Sequence, residues 1–322
     1  MKQIWREIGI AALMGLVVPG VLLGAVVALE SKAPEDPVIR ETIPETVSSE
    51  EVYVPVLSTE GEVTRMKLND YLTGVILAEI PADFESEAKK AQAVVARTYT
   101  IRANERRTKH EAAAVCTDSA CCQGYISPEN YLASGGTQEA VDQAGNAVTE
   151  TGMNVLTFEG ELIEATYFSC SGGHTEDAVA VWGTDVPYLR ATQSPGEEYA
   201  AHYTDTVQFT PEEFASLLAL ELKGDPDSWF GPVTYTAGGG VNTMIIGGIS
   251  FEGTALRKIL NLRSTAFSIQ PQENQIIVTT RGYGHRVGMS QYGADAMAAS
   301  GSGYEEILAH YYQGTSLAQW DD

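Results

Sequence analysis

The chain has 322 residues, 44% of them hydrophobic, and carries 43 acidic against 20 basic side chains, a formal charge of -23 at pH 7. That length buries a sizeable core in one large domain or two modest ones, which excludes a peptide-sized module. A balance this acidic also excludes a nucleic-acid partner, because phosphate binding needs a positive field.

Residues 8–29 carry no charge. At about 1.5 Å of rise per residue, a helix of that length crosses a hydrocarbon core of about 30 Å, so one N-terminal transmembrane helix is expected. Lys2 and Arg6 precede it, and Glu30, Glu35 and Asp36 follow. The positive-inside rule then puts residues 1–7 in the cytoplasm and the body of the chain outside. Val26 and Ala28 are small enough for a signal-peptide cleavage site, but the run exceeds an ordinary signal core, and a retained anchor is the expectation. Residues 30–51 are rich in Glu, Pro, Ser and Thr and lack aromatics, the composition of a disordered tether.

A helix is expected over 71–78: Asn69 and Asp70 supply N-cap chemistry, and Pro81 stops it by disfavouring helical geometry at Ile80. Glu79 is left at the helix end, one acid after an apolar run, and is the candidate catalytic residue. A second helix, 86–106, opens at Ser86 as N-cap and repeats small residues at helical spacing through Ala88, Ala91, Val95 and Thr98. Lys90 and Arg97 fall on one face of it, seven residues apart. Arg97 lies within AVVARTY, where an unpaired guanidinium is costly to bury, so an anionic partner or ligand is expected. A structural ion pair between Glu79 and Arg97 is the competing reading. Asp83, Glu85 and Glu87 read as solvated loop acids.

The four cysteines are Cys116, Cys121, Cys122 and Cys170. An even count outside the cytoplasm suits disulfides. Adjacent Cys121 and Cys122 pair poorly with each other, however, whereas His110, Cys116 and Cys121 or Cys122 offer the mixed nitrogen and sulfur donors that zinc prefers. A structural zinc on His110, Cys116 and Cys122, with Cys121 as a fourth ligand, is the expectation; disulfide and free thiols are the alternatives.

Residues 161–170, ELIEATYFSC, alternate as a strand with Ile163, Ala165, Tyr167 and Ser169 on one face. It breaks at the tetrad Ser171, Gly172, Gly173 and His174, which delivers hydroxyl and imidazole groups just past a strand end. An ordinary loop with a surface histidine is the competing reading. Residues 194–264 have a different texture, a helix opened by Thr210, Pro211 and Glu212 followed by Gly- and Thr-rich strands, and read as an inserted subdomain. In TTRGYGHRVGMSQYGA, residues 279–294, four glycines bracket His285 and Gln291, a density that suggests a cradled polar group. Two short helices, 295–299 and 304–312, should support that loop. Its glycine spacing is a weak nucleotide signal without a βαβ unit, and no repeat, P-loop or HExxH motif is present. The expected fold is therefore mixed α/β of the α+β kind. Its core, residues 52–193 and 265–322, packs helices on sheet and is interrupted by the subdomain at 194–264.

Four blocks in this order, YLTGVILAEIPADFESEAKKAQAVVARTY, EATYFSCSGGHTEDAVAVWG, LRKILNLRSTAF and RGYGHRVGMSQYGA, closely resemble the stage II sporulation protein D family of cell-wall lytic transglycosylases. The resemblance covers nearly everything after Leu57. It implies cleavage of the β-1,4 bond between N-acetylmuramic acid and N-acetylglucosamine in peptide-free glycan strands, with 1,6-anhydro ends. It also implies a partner amidase/endopeptidase and a membrane scaffold at the septal space during engulfment of the forespore. The match at AEIP gives Glu79 the place of the catalytic acid. Lys90, Arg97, Tyr167, Ser169, Ser171, Gly172, Gly173, His174, His285, Ser290 and Gln291 fall in blocks implied to line the glycan groove. Some members carry a zinc beside the cleft. The chain departs from the family in having Arg286 where glycine is usual and Cys170 where serine is frequent.

One acid suffices for this chemistry. Glycoside hydrolases generally use two carboxylates, but in a transglycosylase the sugar's 6-hydroxyl is the nucleophile, and Glu79 can first give and then take the proton if apolar neighbours raise its pKa. Three rival readings are a glycan-binding enhancer of an amidase, a zinc hydrolase built on His110 and the cysteines, and a structural scaffold.

Overall fold

The computed structural model describes residues 52–321; the expected anchor at 8–29 and tether at 30–51 lie outside the described residues. No helix among the described residues is long and apolar enough to cross a membrane. The architecture is mixed α/β, with five small sheets among the described residues and the helices α1 (Leu68–Glu79), α2 (Ser86–Arg106), α3 (Pro128–Ala133), α4 (Gln138–Glu150), α5 (Ala178–Trp182), α6 (Pro211–Leu217), α7 (Gly253–Ile259), α8 (Gln291–Ala299) and α9 (Tyr304–Tyr311).

Helix α2 is the spine. Ala93, Ala96 and Ile101 enter one hydrophobic cluster with α1, α4 and strand Tyr53–Leu57, while Ala88, Ala91, Val94 and Val95 enter a second with α8 and α9. Apart from Lys90, its residues from Ala88 to Thr98 are buried, Lys89, Gln92 and Arg97 included, and its alanines let the neighbours approach closely. Its limits match the expectation, but Glu85 rather than Ser86 is the N-cap and makes no side-chain cap bond. Likewise α1 starts at Leu68, so Asn69 and Asp70 sit in its first turn, where Asp70 complements the helix dipole instead of capping. In α6, Thr210 and Glu213 form the capping box that opens the helix, with Pro211 in the first turn.

The strand expected over 161–170 is split. Glu161–Leu162 pairs antiparallel with Asn154–Phe158, and Tyr167–Phe168 pairs parallel with Met289–Ser290. The chain changes partner between them, so residues 163–166 leave the ladder although Ile163 and Ala165 stay buried. A third cluster joins Phe214, Trp229, Leu256, Phe267, Ile276 and Val278. It extends past the expected boundary at 264, because strand Gln275–Arg281 pairs with Phe267–Gln272 on one side and Thr204–Phe209 on the other.

Arg97 corrects an expectation. It is wholly buried, yet no anion meets it. Its Nη2 donates to the Val148 carbonyl at 2.9 Å and to Thr151 Oγ1 at 3.1 Å, and its Nη1 to the Asn154 carbonyl at 3.2 Å. Val148 lies in the last turn of α4, where carbonyls lack intrahelical partners and carry the negative end of the helix dipole. Arg97 is therefore the C-terminal cap of α4. Burial lowers its pKa to about 10, which leaves it charged at neutral pH. Lys90 pairs with Glu87 and Glu150, both at 2.8 Å, away from the cleft. Denaturant unfolding should place Arg97→Ala about 2–3 kcal/mol below wild type, from the loss of charged hydrogen bonds and the stranding of buried carbonyls. Equal stability would mean that those carbonyls are satisfied without the guanidinium.

Candidate active site

Glu79 is the last residue of α1. Ile80, held extended (φ -116°, ψ 132°) ahead of Pro81, ends the helix and turns the chain away. The half-buried carboxyl is thus presented at the rim of a cleft of about 800 Å³. The loop before α3 reaches it because residue 74 is glycine. A Cβ there would lie 2.3 Å from the Tyr125 ring, and Ile126 N–H donates to the Gly74 carbonyl at 3.2 Å. With the loop laid on α1, Gly124 N–H donates to Glu79 Oε1 at 2.5 Å.

Burial raises the pKa of Glu79; the Gly124 N–H, the Gln291 amide and the Tyr167 phenol each pull it partly back. The C-terminal end of α1 acts in the same direction as burial, since a negative charge there opposes the dipole. Tyr167 is positioned by Gln123, which donates to its hydroxyl at 3.3 Å and accepts from Thr100 at 2.9 Å. Burial and Glu79 push the Tyr167 phenol well up, so it remains a donor. Gln291 is the first residue of α8, set there by the Ser290 N-cap, whose hydroxyl accepts from Gly293 N–H at 3.3 Å. Its Nε2 is buried and makes no hydrogen bond of good geometry, although the amide lies near enough to Glu79 to favour its charged form. A stranded donor beside an acid costs free energy that a substrate acceptor would offset.

Of the expected groove residues, the cleft brings together Tyr167, Ser169, His285 and Gln291 with Glu79. Ser290 acts through its cap. Ser171 and Gly172 serve a different purpose: the Ser171 and Gly172 N–H groups and the Ser171 hydroxyl donate to the buried Glu197 carboxylate at 2.7, 3.0 and 2.9 Å. This is an internal anion nest. Gly173 continues that turn, its carbonyl accepting from Ser194 N–H. The His174 carbonyl accepts from Arg286, and its ring does not line the cleft. Arg286 adopts φ 66°, the left-handed region that favours glycine, at a cost of about 1–2 kcal/mol. Its buried guanidinium offsets that by pairing with Glu176 at 3.0 Å and donating to the Ser171, His174 and Gly238 carbonyls.

The glycines of 282–288 cradle backbone, not a polar ligand. A Cβ at Gly282 would meet the Cys170 and Ser171 carbonyls at 2.7 Å, one at Gly284 the Phe168 Cβ at 2.7 Å, and one at Gly288 the Thr166 carbonyl at 2.1 Å. His285 is locked between them. Its Nδ1 accepts from Val287 N–H at 3.1 Å, and burial lowers its pKa to about 4, so it is a neutral support and not an acid.

Sequence reasoning missed Glu164, Lys109, Trp182 and Tyr283, which also line the cleft. Glu164 is its second carboxylate and is ion-paired with Arg102. The strand break that turns Glu164 inward left no separate mark in the sequence; the glycines either side of Tyr283 were the available signal there. Asp83 and Glu85 are exposed, and Glu87 is tied to Lys90.

Beside the cleft, His110, Cys116, Cys121 and Cys122 converge, with ligand atoms within 4.8 Å of one another. His110 Nε2 lies 3.6 Å from Cys121 Sγ and 3.4 Å from Cys122 Sγ, and the two sulfurs are 3.9 Å apart. A tetrahedral zinc, with bonds of about 2.3 Å to sulfur and about 2.0 Å to nitrogen, separates its ligands by roughly 3.5–3.8 Å, so these residues fit the ion. The same spacing is far beyond a disulfide bond of about 2.05 Å.

A family model described as Stage II sporulation protein matches residues 57–158. The chain is 37% identical over 283 residues to Stage II sporulation protein D of Bacillus subtilis (strain 168), covering 86% of this chain and 82% of that protein. It is 37% identical over 292 residues to the protein of the same name from Bacillus amyloliquefaciens, covering 88% and 84%. It is also 30% identical over 307 residues to an amidase enhancer of Bacillus subtilis (strain 168), covering 77% of this chain and 40% of that protein.

The Glu79 environment has a measurable consequence for stability. Folding tightens its hold on the proton, so wild-type stability falls as pH rises from the ordinary carboxylate range through the raised folded value. Glu79→Gln should therefore be the more stable protein at pH 7 in denaturant unfolding, with the gap closing toward pH 4.5. A constant gap at every pH would mean that the carboxyl is unperturbed.

Proposed function

Because the chain belongs to the Stage II sporulation protein D family, we propose that it is a peptidoglycan lytic transglycosylase. It cleaves the β-1,4 bond between N-acetylmuramic acid and N-acetylglucosamine in peptide-free strands and leaves 1,6-anhydro ends. The observation that carries this reading is Glu79: one carboxyl, raised in pKa by burial, beside a neutral phenol and a stranded amide donor. In the protonated form it gives its proton to the glycosidic oxygen as the C1–O bond breaks. The carboxylate then takes the proton of the sugar's 6-hydroxyl, whose oxygen closes on C1, and the acid is regenerated without water. Gly124 N–H stabilises the carboxylate between the two transfers. Glu164 is tied to Arg102, which leaves Glu79 as the cleft carboxyl free to exchange a proton.

His110, Cys116, Cys121 and Cys122 would hold a zinc ion, and its contribution is structural: it cross-links the 110–122 loop whose continuation supplies Gln123 and Gly124 to the site. The expected setting follows the family. Residues 8–29 anchor the chain in the membrane with the domain outside, where it acts with an amidase/endopeptidase and a membrane scaffold in septal wall remodelling during engulfment. The identity to an amidase enhancer favours a second reading, a glycan binder that stimulates an amidase without cutting strands itself.

Mass spectrometry of peptide-free strands incubated with the full chain should show anhydro-ended products that disappear with Glu79→Gln. Their absence from both, together with stimulation of an amidase, would establish the second reading; reducing-end products would mean hydrolysis. Turnover should fall as pH rises through the Glu79 pKa, and Tyr167→Phe, which removes a bond favouring the carboxylate, should move that fall to higher pH. Elemental analysis should find one zinc per chain, and a strong chelator should lower the melting temperature of wild type but not of Cys116→Ser. Metal-free protein with unchanged melting would remove zinc from the account.

A further inference from the structure

Two large aromatic side chains line the cleft and remain open to water. Trp182 is 43% and Tyr283 41% exposed, and neither takes part in proton transfer. Leaving such rings in water forgoes the free energy of burying them, and exposed apolar surface gathered inside a concave site marks something that covers it.

Both rings are held before any ligand arrives. Trp182 is the last residue of α5, which Gly183 closes in the left-handed conformation at φ 74°. Its ring packs at 5.4 Å on His285, the imidazole locked by Val287 N–H and packed in turn on Phe168 at 5.5 Å. Tyr283 is fixed through its backbone. Its N–H donates to the Cys170 carbonyl at 2.7 Å, and its carbonyl accepts from Cys170 N–H at 3.1 Å. Gly282 and Gly284, both at positive φ, let the chain press against 168–171 on either side of it and leave the phenol ring projecting. Arg263, anchored to Asp205 at 3.0 Å, lies over one face of the ring at 4.9 Å, and the His202 ring stands perpendicular to it at 5.6 Å. A preset ring loses little entropy on binding.

The ligand that suits such surfaces has flat apolar faces and polar edges. A β-1,4-linked N-acetylated pyranose is of this kind: its axial C–H groups form weakly positive strips that match the negative face of an aromatic ring, while its equatorial groups reach polar side chains such as Ser169 and Gln291. We infer that Trp182 and Tyr283 are stacking platforms that grip pyranose rings of the glycan strand in this cleft. This deepens the glycan reading above and rests on it, but it does not depend on bond cleavage.

The test uses the full chain carrying Glu79→Gln, so that turnover cannot intervene, with tetra-N-acetylchitotetraose as the probe. Titration should give a saturable blue shift of tryptophan emission that is absent with Trp182→Phe, because Trp229 and Trp320, the other tryptophans among the described residues, do not line the cleft. Calorimetry should find affinity about tenfold weaker, equivalent to about 1.4 kcal/mol, for Trp182→Ala and for Tyr283→Ala. Trp182→Phe and Tyr283→Phe, which keep a ring face, should stay near the parent. No binding by the parent, an emission shift that survives Trp182→Phe, or folded alanine variants within twofold of the parent would overturn the platforms. Trp182-dependent binding without anhydro products from the otherwise wild-type chain would instead overturn the transglycosylase reading and leave the platforms standing.

Discussion

Burial of α2 on every side is the constraint on which the other elements depend. Ala88, Ala91, Ala93 and Ala96 leave little bulk to hold neighbours away, so α1, α4, α8, α9 and strand Asn154–Phe158 all close on one helix. The cost of that arrangement is the guanidinium of Arg97 in a dry interior, and it is met by the carbonyls at the end of α4 rather than by an acid. A formal charge is thereby used to join two helices. The consequence for function is indirect: α1, pinned against α2, holds Glu79 where its own C-terminus and Pro81 leave it.

Around that acid the site is assembled by backbone docking. Gly74 admits the loop that carries Gly124, and Gly282, Gly284 and Gly288 let the 281–289 segment lie against residues 166–171 at distances no Cβ would permit. The first docking sets Gln123 beneath the Tyr167 hydroxyl, and the second brings Tyr167, Tyr283 and His285 into the cleft. The electrostatics follow the same economy. Glu197 and Glu176 are buried but lie in nests of N–H groups or against Arg286, whereas at Glu79 burial outweighs the Gly124 N–H, the Gln291 amide and the Tyr167 phenol, and its pKa is raised.

The fold was legible where local chemistry acts alone. The stop at Pro81, the length of α2, the capping box of α6 and the mixed α/β class follow from periodicity and caps. The convergence of His110 with three cysteines followed from donor types close in the chain. Where a residue's partner is distant, the reading failed in recognisable ways. The tetrad after Cys170 looks like a ligand loop because serine, glycine and histidine are what ligand loops use, yet the same atoms suit Glu197, whose partnership nothing local announces.

The sequence by itself determined that Glu79 ends a helix, because a proline two residues on acts within the chain that carries it. It also determined that glycine-dense segments approach something closely. Tertiary structure alone decided what they approach and which polar groups share the acid's surroundings. Tyr167 and Gln291 reach Glu79, and Trp182 and Glu164 share its cleft, through pairings between segments far apart in the chain, and burial, which raises the pKa of that carboxyl, is a property of the assembled surroundings rather than of any residue.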